Sequence, residues 1–120
     1  MKIVVADDSR AMRMIVVRTL RQAGLGGHEI LEAEDGREAL DLVGRHVPDL
    51  ILSDWNMPGL SGIQLLSTLR ARGDGTPFCF VTSEGSEDMR EQAAAAGALG
   101  LIAKPFTAEV FLDLLSPVMT

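Results

Sequence analysis

The chain has 120 residues, enough for one domain with one hydrophobic core, and we expect that domain to span residues 1–120. Hydrophobic residues make up 47% of the sequence, which supports a folded interior and argues against a disordered tail. The formal net charge of −6 argues against nucleic acid and an anionic membrane as partners, because both attract positively charged surfaces.

The first half of the chain alternates apolar runs with stretches of helical spacing. Residues 3–6 form a continuous apolar run, typical of a strand covered on both faces of a parallel sheet. Residues 29–33 interleave charged and apolar side chains and predict an edge strand. Apolar residues at steps of three and four predict a helix after each strand. The first helix presents Met12, Ile15, Val16, Thr19, Leu20 and Ala23 on one face, and the second presents Ala39, Leu40 and Val43.

The second half of the chain repeats this alternation three times. Apolar runs at 50–52, 78–81 and 101–103 predict three more buried strands. Cys79 lies within the second of these runs, and we expect a buried structural thiol there. Because the sequence has no second cysteine, no internal disulfide can form, and we expect a cytoplasmic protein. Three helices are predicted from the stripe Ile63, Leu66 and Leu69, from the Ala-rich stretch 89–96, and from the stripe Val110, Phe111, Leu114 and Leu115.

Five consecutive strand–helix units predict the fold class. Right-handed crossovers place the helices on both faces of a five-stranded parallel sheet, which is an α/β doubly wound fold. Such sheets bind ligands beyond the carboxyl ends of the strands, at the point where the strand order reverses. The residues that directly follow the strands are therefore the candidate functional residues.

Those residues form an acidic group with one lysine. Asp7 and Asp8 follow the first strand, Asp54 the third, Thr82 the fourth and Lys104 the fifth. Carboxylates about 4 Å apart repel one another by roughly 1 kcal/mol per pair in water and about 4 kcal/mol in a partly shielded site. A divalent cation offsets this repulsion, so we expect Mg²⁺, or Mn²⁺ in its place. Thr82 and Lys104 add a hydroxyl donor and a cation, which completes the set that phosphoryl transfer requires.

The same residues resemble the motifs of a known family. Asp7-Asp8, Asp54-Trp55-Asn56-Met57-Pro58, Thr82 and Lys104-Pro105-Phe106 are similar to the signature positions of bacterial two-component response regulator receiver domains. The resemblance extends over essentially the whole chain and is greatest for single-domain regulators of chemotaxis. It implies the flavodoxin-like strand order 2-1-3-4-5.

The resemblance implies how the acidic residues act. Asp54 is the phosphoacceptor, which attacks a phosphohistidine on a sensor histidine kinase and becomes an acyl phosphate. Asp8 and Asp54 bind Mg²⁺ directly, Asp7 helps through water, and the backbone carbonyl of Asn56 completes the protein ligands. The Lys104–Pro105 bond is usually cis in this family.

The resemblance also implies how the signal is held and transmitted. In this family Thr82 and Lys104 hold the phosphoryl oxygens, and Asn56 and Glu84 tune the lifetime of the phosphorylated state. The chain departs from the family at Leu101, where an aromatic residue is usual. We therefore expect the response to depend on Thr82 moving toward the phosphoryl group, followed by rearrangement of the loop after it.

The partners implied by the resemblance are proteins. We expect a monomer that catalyses only its own phosphorylation and dephosphorylation and is not otherwise an enzyme. It would accept its phosphoryl group from the sensor histidine kinase and bind a downstream target. That target is a flagellar motor switch protein or the phosphotransfer protein of a phosphorelay, and a receiver excised from a larger regulator would have the same sequence features.

Three other functions fit the residues less well. A flavodoxin-like module that binds a phosphorylated cofactor needs hydroxyls and amides in its first loop, whereas Asp7 and Asp8 repel an anion unless a metal intervenes. A phosphatase or phosphotransferase with an Asp nucleophile usually carries two Asp residues two positions apart after the first strand, unlike the adjacent pair here. A receiver that serves only as an interaction module has no need for the complete acidic set with Thr82 and Lys104.

Overall fold

The structure of the protein is a computed structural model that describes residues 2–25 and 27–118, so the predicted domain boundaries at residues 1 and 120 lie outside it. The strands among these residues are β1 (Lys2–Ala6), β2 (Glu29–Ala33), β3 (Leu50–Ser53), β4 (Phe78–Thr82) and β5 (Gly100–Ala103). The helices are α1 (Arg10–Gln22), α2 (Gly36–His46), α3 (Gly62–Ala71), α4 (Glu87–Ala95) and α5 (Ala108–Leu115). None of the helices in the described ranges is long and apolar enough to cross a membrane.

All five strands belong to one parallel sheet in the order β2-β1-β3-β4-β5, which confirms the predicted fold and the edge position of β2. The order reverses at β1 and β3, where Ala6 is paired with Ser53. The pairing continues past the strand end, because the Asp54 N–H donates to the carbonyl oxygen of Ala6 at 2.8 Å. Asp7 and Asp54 therefore leave the sheet side by side at the switch point.

The apolar runs of the strands serve two hydrophobic layers, one on each face of the sheet. In β1, Ile3 and Val5 pack in the layer that contains α1 and α5, while Val4 and Ala6 pack in the layer with α2, α3 and α4. Successive side chains of a strand point to opposite faces, so a strand covered on both sides must be apolar at every position. This explains why these strands could be predicted from short runs.

Two predicted helix faces differ from the structure at one residue each. Ile15 was expected to be buried in α1 but is 40% exposed, and Val110 of α5 is 43% exposed. Ile15 directly precedes the buried core residue Val16, and Val110 directly precedes the buried core residue Phe111. One residue corresponds to about 100° of rotation on a helix, so Ile15 and Val110 lie at the margin of the buried stripe.

Cys79 is buried in β4, as predicted for a structural thiol. Burial raises the pKa of the Cys79 thiol to about 12. The thiolate is the reactive form of cysteine, so this residue is protonated and unreactive near neutral pH.

Candidate functional site

The three predicted acidic residues meet at the carboxyl end of the sheet. Asp7, Asp8 and Asp54 each offer a carboxylate oxygen, and these oxygens all lie within 4.8 Å of one another. Asp7 is buried at 3% exposure, Asp54 is half-buried and Asp8 is exposed, so the cluster opens to solvent on one side. An all-oxygen set of carboxylates with an open side fits a hard divalent cation such as Mg²⁺.

The pKa of Asp54 reflects its burial and its closeness to the other carboxylates. Its Oδ1 accepts a hydrogen bond from the backbone N–H of Trp55 at 2.7 Å, and its Oδ2 lies 3.8 Å from Lys104 Nζ. Burial, and then the charge of Asp7, raise the pKa of the Asp54 carboxyl above its ordinary value, although Lys104 opposes this shift. A divalent cation among the carboxylates would relieve the repulsion that raises this pKa.

Lys104 lies beside the carboxylates that follow β1 and β3. Its Nζ lies 3.3 Å from Asp7 Oδ2, which is closer than its 3.8 Å approach to Asp54 Oδ2. Its backbone N–H donates to the Thr82 carbonyl at 2.8 Å, and the Lys104–Pro105 bond is cis, as the family resemblance implied. The Lys104 side chain therefore extends from the end of the edge strand β5 to the carboxylates of Asp7 and Asp54.

The loop that begins at Asp54 closes tightly on itself. The hydroxyl of Ser53 donates to the Asp54 carbonyl at 2.8 Å, and the N–H of Gly62 donates to the Trp55 carbonyl at 2.8 Å. A Cβ at Gly62 would overlap the Asp54 carbonyl oxygen and come within 2.9 Å of the Phe80 ring. Gly62 is thus required by a close approach of two backbone segments, and sequence reasoning missed it.

The indole of Trp55 lies beside this loop. It is half-buried, and its ring centroid lies 4.7 Å from that of Phe80. Its backbone N–H is the donor to Asp54 Oδ1. The indole is therefore a natural optical probe of events at the neighbouring carboxylate.

The remaining predicted residues surround the pocket at different depths. Thr82 is fully buried at the end of β4, and its Oγ1 accepts a hydrogen bond from the Glu84 N–H at 3.3 Å. Asn56 and Glu84 have exposed side chains, and Leu101 is buried in β5. The structure brings these positions to the same end of the sheet, while their roles in tuning and switching stay predictions.

Arg13 was not predicted as part of the site. It lies on α1, is only 6% exposed, and its Nη1 donates to the carbonyl oxygen of Asp7 at 2.7 Å. Its Nε donates to Glu32 Oε1 on β2 at 3.0 Å. The available signal was its position three residues before Val16 and seven before Leu20, on the apolar face of the helix.

Comparison with known proteins agrees with this geometry. A family model described as the response regulator receiver domain matches residues 3–116. The chain is 42% identical over 115 residues to the chemotaxis protein CheY of Pseudomonas aeruginosa, with 94% of this chain and 91% of that protein covered. It is 38% identical over 120 residues to the chemotaxis protein CheY-3 of Vibrio cholerae, with 98% and 91% covered.

Solved structures show the same likeness in three dimensions. The chemotaxis protein CheY4 of Vibrio cholerae superimposes with a TM-score of 0.85 at 36% identity, with 98% of both chains covered. The receiver domain of the Francisella response regulator 1452 gives a TM-score of 0.85 at 28% identity, with 98% of this chain and 94% of that chain covered. Because the family model spans nearly the whole sequence and these relatives cover 94–98% of it, the protein belongs to the response regulator receiver domain family.

Proposed function

We propose that this protein is a phosphoacceptor of a two-component system, in which Asp54 receives a phosphoryl group from a sensor histidine kinase. The observation that carries the proposal is the group of three carboxylates within 4.8 Å of one another, with the Lys104 ammonium beside two of them. We further propose that residues 1–120 form one receiver domain, which acts as a monomer in the cytoplasm and catalyses only its own phosphorylation and dephosphorylation.

The acidic pocket supplies the ligands for a divalent cation. Asp8 and Asp54 would hold Mg²⁺, or Mn²⁺, directly, Asp7 would hold it through water, and the backbone carbonyl of Asn56 would complete the protein ligands. When bound, the ion neutralises the negative charge that gathers on the oxygens during phosphoryl transfer. The donor set supports this assignment, since it consists of oxygens at the partly solvent-exposed end of the sheet.

The transfer step involves one nucleophile and one leaving group. A carboxylate oxygen of Asp54 attacks the phosphorus of a phosphohistidine, forming a P–O bond while the P–N bond breaks. The imidazole leaves with the electron pair of that bond and takes a proton from solvent, and Asp54 becomes an acyl phosphate. The Lys104 ammonium and the Thr82 hydroxyl donate to the phosphoryl oxygens and hold them in place.

Hydrolysis of the acyl phosphate returns the protein to its resting state. Water must approach the phosphorus from the open side of the pocket, where Asn56 and Glu84 have exposed side chains. We propose that these two residues set the lifetime of the phosphorylated form by controlling that approach. Both side chains are exposed, so their substitution should leave the core undisturbed.

The output of the protein is proposed to be reversible association with a target protein. Relatives named as chemotaxis proteins support a flagellar motor switch protein as that target. A phosphotransfer protein of a phosphorelay is the alternative. The two are separated by following the phosphoryl group: in a relay it moves to a histidine of the purified phosphotransfer protein, whereas a motor switch protein binds the phosphorylated form without accepting the group.

Trp55 fluorescence and protein mass test the phosphoacceptor assignment together. We expect the fluorescence to change once when Mg²⁺ is added and again when acetyl phosphate is added. After acetyl phosphate, the mass of the protein should increase by one phosphoryl group. Asp54→Asn should abolish the second fluorescence change and the mass gain, whereas Asp113→Asn, an exposed residue of α5, should retain both. A wild-type protein that neither binds Mg²⁺ or Mn²⁺ nor gains mass would instead be a flavodoxin-like binding module without phosphorylation.

A further inference from the structure

The buried guanidinium of Arg13 connects the edge strand of the sheet to the acidic pocket. Arginine is rarely buried in proteins unless its charge and its donors are paired. Here the Nε donates to Glu32 Oε1 at 3.0 Å, and Nη1 donates to the Asp7 carbonyl oxygen at 2.7 Å in a fully buried contact. The planar fork of Arg13 therefore spans β2 and the first residue after β1, which no point charge such as lysine can do with the same geometry.

The atom that Arg13 holds determines the path of the chain into Asp8. The carbonyl of Asp7 and the N–H of Asp8 belong to one planar peptide unit, so fixing the oxygen fixes the orientation of that plane. The other polar atoms of Asp7 are held separately: its N–H donates to Ala33 at 3.1 Å, and its carboxylate accepts from Ser9 at 2.9 Å and Lys104 at 3.3 Å. Arg13 thus acts on the peptide between the two acidic residues.

We propose that Arg13, braced by Glu32, is a positioning residue that sets the Asp7–Asp8 peptide plane and thereby places the Asp8 carboxylate for divalent cation binding. This inference depends on the proposed function, because it concerns the same acidic pocket. Groups that orient metal ligands without touching the metal typically change metal affinity by about 10–100-fold when they are removed. We expect Arg13→Met to weaken Mg²⁺ binding by about tenfold.

The direction of the change separates positioning from simple electrostatics. Arg13 is a positive charge behind an acidic pocket, so its removal would strengthen cation binding if only Coulomb interactions mattered. A loss of affinity can arise only if the hydrogen-bonded geometry outweighs that effect. Arg18→Met is the matched control, because Arg18 is an exposed arginine of the same helix and its removal changes the net charge equally.

Three substitutions test the contacts that Arg13 makes with Glu32 and with the Asp7 carbonyl. The Mg²⁺ dissociation constant of each variant is measured by Trp55 fluorescence, and Mn²⁺ binding is checked by electron paramagnetic resonance. Arg13→Met and Arg13→Lys should both raise the constant. Because Arg13→Lys keeps the positive charge, its increase reports the lost geometry of the guanidinium alone. Glu32→Gln keeps an acceptor for Nε and should leave the constant within about twofold of the wild type. Chemical denaturation without metal reports the stability of each variant, and circular dichroism shows which variants are folded.

A purely structural role for Arg13 would lower the denaturation midpoint and leave the Mg²⁺ dissociation constant of the folded protein unchanged. A folded Arg13→Met or Arg13→Lys variant with a wild-type or smaller constant would therefore overturn the proposal. Should Arg13→Met not fold, Arg13→Lys carries the test. Failure of the proposed function is a different result, since the wild-type protein would then bind no divalent cation and gain no mass with acetyl phosphate.

Discussion

The β1 side and the β4 side of the acidic pocket are held in different ways. On the β1 side, Asp7 has hydrogen bonds at its N–H, its carbonyl and both carboxylate oxygens. On the β4 side, residues 83–88 are all exposed. The helices that follow differ too: α1 buries Arg13, Val16, Thr19 and Leu20, whereas in α4, all of whose residues are described, Ala93 alone is buried.

This difference indicates that the two sides of the pocket differ in how easily they move. Segments with few buried apolar contacts open at low free energy, and moving elements are drawn from such segments. The β1 side would then provide a fixed set of carboxylates, while the β4 side provides the part that changes shape. The contacts on the β4 side form a short path: Glu84 donates to Thr82, Gly85 lies against Ala103, and Arg90 donates to the Leu101 carbonyl at 3.0 Å.

Loss of the Thr82 hydroxyl should have the largest effect, because it should abolish the response of the β4 side to phosphorylation. The hydroxyl oxygen accepts from the Glu84 N–H at 3.3 Å and keeps its own proton to donate to a phosphoryl oxygen, so a movement of Thr82 toward that oxygen would pull on the loop at Glu84. We expect acetyl phosphate to change the hydrogen exchange of residues 83–96 in the wild-type protein and in Thr82→Ser, but not in Thr82→Ala. Mass measurement must show that the Ala variant is still phosphorylated, and a response of normal size in that phosphorylated variant would refute this coupling.

An added methyl group at Gly62 tests the rigid part of the site. The new Cβ would overlap the Asp54 carbonyl, which accepts from the Ser53 hydroxyl, and press on the ring of Phe80, a fully buried residue of β4. We expect Gly62→Ala to lower the free energy of unfolding by about 2–3 kcal/mol, measured by chemical denaturation. Gly75→Ala is the control, because a Cβ there meets nothing within 4 Å, and its effect should stay within about 0.5 kcal/mol.

The same substitution at Gly85 tests how firmly the loop after β4 is held. A Cβ at Gly85 would lie 2.9 Å from the Ala103 Cβ, so something must shift. If the loop is loosely held it will move, and Gly85→Ala should lower the free energy of unfolding by no more than about 1 kcal/mol. A loss as large as that of Gly62→Ala would show that the loop after β4 is held as firmly as the Asp54 loop, against the difference described above.

A substitution remote from both sides should have the smallest effect, in the opposite direction. Val47 is the C-cap residue that follows α2. It lies in the left-handed region at φ 48°, a strained conformation for a β-branched residue, and it is 77% exposed. Val47→Gly should raise the free energy of unfolding by about 0.5 kcal/mol, since relief of strain exceeds the added flexibility of the unfolded chain. Its Mg²⁺ dissociation constant should equal that of the wild type, and a changed constant would mean that stability and site geometry are coupled.

Much of the fold could be predicted because its signals are local. The run Ile3–Ala6 is apolar at every position because both of its faces are covered, and this pattern is visible without knowledge of its neighbours. Ile15 was misplaced because a stripe of apolar residues gives the approximate face of a helix but not its rotation against the sheet. That rotation is set by packing against α5 and the strands beneath.

By itself, the sequence determined the five strand–helix units and the order of the acidic residues along the chain, because periodicity and position after a strand are properties of short segments. Only the tertiary structure decided that Arg13 is buried against the Asp7 carbonyl and that Gly62 must lack a side chain. Both depend on how closely segments distant in sequence approach each other, and a distance of that kind arises only when the sheet and its helices have packed together.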